Sequence, residues 1–129
     1  MLGFVSTLFA ALLCAGFAQA QDIDAGKKVF KKCRACHRVG PKAKNAVGPV
    51  LNGLFGRTAG TVEGYRYSKA NKNSGIVWDH KTFSDYIVSP RKFIPGTKMS
   101  FAGLKKPQDI KDLAAYLKQY GPDGQPAKN

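Results

Sequence analysis

The chain has 129 residues, a length that ordinarily makes one domain, and carries 21 Lys and Arg against 8 Asp and Glu for a formal net charge of +13. Gly and Pro are frequent and long apolar runs are scarce beyond residue 20, so a domain of this size has a thin core. No internal repeat, phosphate-binding loop or domain linker is present, which excludes repeat architectures and nucleotide-loop enzymes.

Residues 1–20, "MLGFVSTLFAALLCAGFAQA", contain no charged side chain and end in Ala18-Gln19-Ala20, a small-x-small pattern. They read as a secretory signal peptide cleaved after Ala20, which places the mature protein in the periplasm. No Lys or Arg follows Met1, so a retained membrane anchor is the rival reading; Leu13 is too large for the usual lipoprotein pattern before Cys14. All charged side chains lie beyond Ala20, and the mature segment 21–129 keeps the full charge. Export excludes nucleic acid as the target of that charge.

Asp22 or Asp24 can cap a helix running through about Cys33, with Gly26, Val29 and Phe30 on one side. From Gly40 to Tyr67 the chain reads as an extended Gly- and Pro-rich loop with at most short helical turns. Ser68 to Asn73 and Thr82 to Val88 are helix candidates, the second stopped by Pro90, and "RKFIPGTKMSFAG" reads as another loop. The last helix begins near Pro107, a residue favoured at a first helical position, and sets Ile110, Leu113, Ala114 and Leu117 at helical spacing. Gly121-Pro122 ends it and leaves "DGQPAKN" as a frayed tail. No strand is expected, and the fold class is mainly α. Loops this long are functional or disordered. These carry Leu51, Leu54, Phe55, Tyr65, Tyr67, Trp78, Phe93, Ile94 and Phe101, too many large apolar groups for disorder. They must wrap something, and a large apolar cofactor would supply the missing core.

"KCRACH", residues 32–37, names a candidate for it. C-x-x-C-H is the attachment signature of c-type haem. Cys33 and Cys36, one helical turn apart, can each add to a haem vinyl group as a thioether, and His37 can place an imidazole nitrogen on the iron. A redox-active thiol pair would need a preceding strand and an α/β scaffold, neither of which appears. A zinc site needs four ligands; Cys33, Cys36, His37 and His80 match in number, but no ligand pair repeats. The sixth position decides the function: an open site binds or activates small gases as in a sensor or peroxidase, and a filled one makes an electron carrier. Met99 is the one methionine beyond residue 20 and lies in a polar Pro-Gly loop, where core packing is a poor reason for a thioether. His80, in "WDHKTF", is the weaker candidate because its surroundings face solvent. His37 and Met99 are therefore the expected metal ligands.

The stretches "CRACH", "VGPVLNGLFGR", "EGYRYSKANKNSGIVW", "IPGTKMSFAG" and "DLAAYLKQY" together resemble a class I cytochrome c of the short cytochrome c2 and mitochondrial type, over essentially the whole mature chain. The resemblance implies a small cytochrome c fold in residues 21–129, with terminal helices crossing and loops wrapped around one covalent haem c. It implies that Gly26 and Phe30 meet Leu113 and Tyr116 at the crossing. It makes the Pro49 carbonyl the acceptor of the second His37 ring N–H. Tyr86 and Thr97 are implied to lie near the Met99 sulfur, Asn71 to hold a buried water, and Arg57, Tyr67 and Trp78 to hydrogen-bond a buried propionate. Basic residues cluster at Lys27, Lys28, Lys31, Lys32 and Arg34, at Arg91, Lys92 and Lys98, and at Lys105 and Lys106. In the family fold several of these ring the exposed haem edge and would steer the carrier to acidic docking faces. The implied protein is a monomeric periplasmic shuttle without stable membrane insertion. It takes electrons from a cytochrome bc1-type donor and delivers them to a terminal oxidase or photosynthetic reaction centre. It is not an enzyme.

Overall fold

The computed structural model describes residues 21–127. The signal peptide expected in residues 1–20 lies outside them. Five helices form in chain order: α1 (Ile23–Phe30), α2 (Lys69–Lys72), α3 (His80–Val88), α4 (Pro90–Phe93) and α5 (Pro107–Lys118). Among the described residues strand pairing is confined to two isolated bridges, Thr58 with Val77 and Tyr120 with Pro126.

Helix α1 starts where Asp22 accepts the Ala25 amide at 3.0 Å. It ends at Phe30, short of the expected Cys33, but turns continue: the amides of Cys33 and His37 bond the carbonyls of Phe30 and Cys33 at 2.8 and 2.9 Å. Helix α1 crosses α5, as expected, at Gly26. A Cβ there would collide with the Asp112 carbonyl and stand 2.8 Å from Tyr116 Cβ. Phe30 packs on Tyr116 with ring centroids 5.3 Å apart. Asp112 is only 5% exposed; its Oδ1 accepts the Asp22 amide at 2.8 Å and Gln108 Nε2 at 2.9 Å, so its burial is compensated.

Helix α3 begins at His80 rather than Thr82, because Asp79 caps it reciprocally: its carboxylate accepts the Thr82 amide and Thr82 Oγ1 accepts the Asp79 amide. Pro90 both ends α3 and opens α4, its missing N–H being harmless in a first helical turn. The stretch expected as loop therefore starts with a helical turn. The tail is also not frayed through Ala127: it folds back on the chain, with the Ala127 amide bonded to the Gln119 carbonyl at 2.9 Å. The loops do wrap a common centre. Leu51, Leu54, Tyr65, Tyr67, Trp78 and Phe101 face it. Phe93 departs from the pattern: it is 36% exposed and touches Tyr86 edge-on.

Both ends of this frame can be tested. Gly26→Ala pushes against rigid helix backbone and should lower unfolding stability by about 2–3 kcal/mol in denaturant titration. The Asp79 carboxyl is held below the usual carboxylate range, chiefly by the Thr82 amide and then by its hydroxyl. Its contribution is present above the ordinary carboxylate pKa and disappears as pH falls through the lowered value. Asp79→Ala should therefore melt a few degrees below the parent at neutral pH and together with it in strong acid.

Candidate functional site

The wrapped centre is a cavity of about 520 Å³, within the range of cofactor sites. All eleven residues expected around a cofactor line it: Cys33, Cys36, His37, Pro49, Arg57, Tyr67, Asn71, Trp78, Tyr86, Thr97 and Met99. Leu54, Phe83, Ile87, Leu113 and Leu117 supply much of the apolar remainder.

On one side the turn after α1 presents both thiols and the imidazole. Cys33 and Cys36 are free, and burial pushes the Cys33 thiol up to about 11 against the opposing charge of Lys32. A nucleophilic redox cysteine needs the reverse shift, so this environment speaks against a thiol oxidoreductase. His37 is 8% exposed. Its Nδ1 lies 2.7 Å from the Pro49 carbonyl, which can only accept, so the proton sits on Nδ1 and the Nε2 lone pair is free. Burial, then the Arg57 and Arg38 charges, hold the imidazole below its ordinary pKa despite the Pro49 bond, leaving it in the neutral form that ligates metals.

The Met99 loop lines the same cavity. Tyr86 Oη donates to Met99 Sδ at 3.0 Å, while the Met99 amide donates to Thr97 Oγ1 at 3.3 Å. Burial raises the Tyr86 phenol and keeps it a donor. His80, the weaker ligand candidate, is exposed and does not line the cavity.

Arg57 donates to the carbonyls of Val50 and Asn52 at 3.2 and 3.1 Å. Trp78 is brought beside it by paired backbone: the Trp78 amide bonds the Arg57 carbonyl at 2.9 Å. Tyr67 Oη accepts the Val62 amide at 3.1 Å, and burial raises its pKa. A half-buried guanidinium at this apolar wall suits a carboxylate such as a propionate. Asn71 Oδ1 is buried without a hydrogen-bond partner in the protein, as fits an atom meant for a bound water or cofactor group. The residue chemistry thus suits haem c: two thiols, an imidazole and a thioether line one cavity with a guanidinium that would receive a carboxylate.

The six expected docking cations, Lys27, Lys32, Arg91, Lys98, Lys105 and Lys106, are all exposed. Lys32 and Lys98 stand on the cavity wall itself. Lys98 Nζ donates to the Arg66 carbonyl at 2.8 Å, and Lys105 Nζ bonds the carbonyls of Val88 and Ala102. Both lysines therefore also tie loops. Among the described residues the one ion pair is Lys81 with Asp85, so the remaining positive charge acts largely uncancelled.

Sequence reasoning missed two contributors. Val47 lies at the cavity edge and is 75% exposed, an apolar contact among charges. Gly48 backs directly onto the imidazole: a Cβ would stand 2.8 Å from His37 Nδ1 and 2.9 Å from Nε2. The "VGPV" stretch was the only signal for it. Gly48→Ala should displace the ring from Pro49, costing about 1–3 kcal/mol of stability and shifting the His37 ring resonances in NMR spectra.

Known proteins agree with this geometry. The cytochrome c family model matches residues 23–121. Cytochrome c2 of Blastochloris viridis is 55% identical over 124 residues, covering 96% of this chain and 98% of its own. A cytochrome c2 of Rhodoplanes tepidamans is 61% identical over 104 residues, 81% of this chain and 97% of its own. The solved structure of cytochrome cH from Methylobacterium extorquens superposes with a TM-score of 0.72 at 43% identity, covering 76% of this chain and 98% of that one. With a family match across nearly all described residues, and relatives more than half identical over almost their full lengths, the chain belongs to the cytochrome c family and is a haem c electron carrier rather than an enzyme.

Proposed function

We propose that the chain is a periplasmic one-electron shuttle whose haem c is attached through Cys33 and Cys36 and ligated by His37 and Met99. The observation that carries this reading is the convergence of two thiols, a free imidazole nitrogen and a thioether on one apolar cavity. Haem iron, when bound, supplies a reversible Fe(II)/Fe(III) couple. The protein supplies everything that tunes it. Pro49 fixes the His37 tautomer and ring plane and strengthens it as a donor. Met99 is a soft ligand that favours the reduced state, and burial in apolar side chains does the same by disfavouring the extra positive charge. Tyr86 holds the sulfur in place, which counts against the open-site reading of a gas sensor or peroxidase. Arg57, Tyr67 and Trp78 would receive a propionate, and Asn71 a buried water.

Charge supports the partner reading. A net charge of +13 with Lys32 and Lys98 at the cavity suits acidic docking faces on membrane redox complexes. The proposed donor is a bc1-type complex, and the proposed acceptor a terminal oxidase or photosynthetic reaction centre. Lys27, Arg91, Lys105 and Lys106 extend the basic surface. The proposed export rests on the uncharged, largely apolar residues 1–20, which end in Ala18-Gln19-Ala20. No helix among the described residues is long and apolar enough to cross a membrane. A monomer is expected.

The test is made on protein matured in a host that attaches haem c. The haem should survive denaturing electrophoresis, titrate as a single reversible one-electron couple, and not bind carbon monoxide when reduced at neutral pH. Electron delivery to an acidic redox partner should slow steeply with added salt. Met99→Ala should bind carbon monoxide and have a lower reduction potential. Ready carbon monoxide binding by the unmodified protein would instead assign it to the sensor or peroxidase class.

A further inference from the structure

After α5 the backbone reverses. The Gly124 amide bonds the Gly121 carbonyl at 2.9 Å, the Gly121 amide bonds the Gln125 carbonyl at 2.8 Å, and Tyr120 pairs with Pro126. The resulting hairpin lies against the loop that follows His37. Gly124, at φ +76°, is buried; a Cβ on it would collide with the Gly40 carbonyl and stand 2.7 Å from Asn52 Nδ2. Asn52 is itself buried and spends both ends of its amide on Gly40: Nδ2 donates to the carbonyl at 2.8 Å and Oδ1 accepts the N–H at 2.9 Å. The next residue, Gly53, donates its amide to the Tyr120 carbonyl at 3.0 Å and abuts Pro122.

The far side of this loop is the His37 side. The Leu51 amide bonds the Arg38 carbonyl at 3.0 Å, the Gly48 amide bonds the Cys36 carbonyl at 2.8 Å, and the Pro49 carbonyl between them receives the His37 Nδ1–H. Residues 38–53 form no helix or strand. Bonds such as the Val50 amide to Asn45 Oδ1 and the Ala46 amide to the Gly48 carbonyl, both at 2.9 Å, shape the loop locally around Pro49. Its placement against the rest of the chain depends also on its ends and on what lies on it.

We infer that the hairpin Gly121–Ala127 is a strap that positions the His37 imidazole by holding the 38–53 loop closed. Its effect on ligation rests on the haem reading above, whereas its effect on the loop does not. Releasing the strap leaves the Pro49 carbonyl less firmly held, weakens the bond to Nδ1–H, and makes the imidazole a poorer electron donor, which disfavours Fe(III).

The experiment compares the haem-loaded full chain, a truncation after Tyr120, full-length Gly124→Ala, and full-length Gln125→Ala, whose exposed side chain makes none of the strap's bonds. Amide hydrogen exchange is followed at Gly48 and Leu51, which bond no strap residue, alongside the reduction potential and the far-red sulfur-to-iron band. Exchange at both amides should quicken about tenfold in the truncation and less in Gly124→Ala. The potential should rise in both, the band should persist, and Gln125→Ala should match the parent. A lower melting point with Gly48 and Leu51 exchange and the potential unchanged would make the tail a stabilising appendage only and overturn the strap. Should the truncation fail to fold, Gly124→Ala decides by the same criteria. Should no haem attach even to the parent, the functional reading fails and the strap's claim on ligation fails with it, whereas a haem-loaded parent with exchange and potential unchanged in the variants overturns the strap alone.

Discussion

A cavity of about 520 Å³ lined largely by apolar side chains sets the terms for this fold. Unless an apolar group fills that cavity, its lining stays in contact with water, an unfavourable state for apolar surface. Helices of 4 to 12 residues cannot close it by packing on one another. The sequence accordingly gives its large apolar groups to loops, and those loops point inward. The crossing of α1 and α5 at Gly26 is the most extensive meeting of helices, with α3 also touching α4 and α5. It sets the thiol-bearing turn after α1 at the cavity wall, beside Leu113 and Leu117 of α5.

The polar groups around the cavity obey a second constraint. Each is either satisfied by the protein or suited to a cofactor. His37 gives its only N–H to Pro49 and keeps a bare nitrogen; Tyr86 gives its O–H to Met99; Asn71 Oδ1 finds no protein partner. No acidic side chain lines the cavity. The interior therefore suits an iron centre in either charge state with an anionic end at Arg57, while positive charge remains on the outer surface. Lys98 and Lys105 show how economical that surface is, since each presents charge and ties backbone.

Local chemistry made much of this legible. Asp22 as a helix cap, Pro107 as a helix start, C-x-x-C-H as a spacing and Met99 as a lone thioether are signals carried by a few neighbouring residues; the first two stand at the starts of α1 and α5, and Cys33, Cys36, His37 and Met99 line the cavity. The misses were tertiary. Pro90 was legible as a stop, but the same missing N–H suits a first helical turn, and only the chain beyond it decides which. The tail reads as frayed because its partners, Gly40 and Asn52, lie some seventy or more residues away. Beyond its place in "VGPV", nothing local to Gly48 shows that an imidazole will lie against it. Its neighbour Pro49 became readable only through resemblance to a family.

On the proposed reading, His37 and Met99 would ligate the iron of a haem attached through Cys33 and Cys36. The most direct measurement is the absorption spectrum of the oxidised mature protein in the far red. A weak sulfur-to-iron band, present in the parent and absent from Met99→Ala, is the expected result. A haem spectrum without that band in the parent would contradict the claim, because Met99 would not then be the resting ligand.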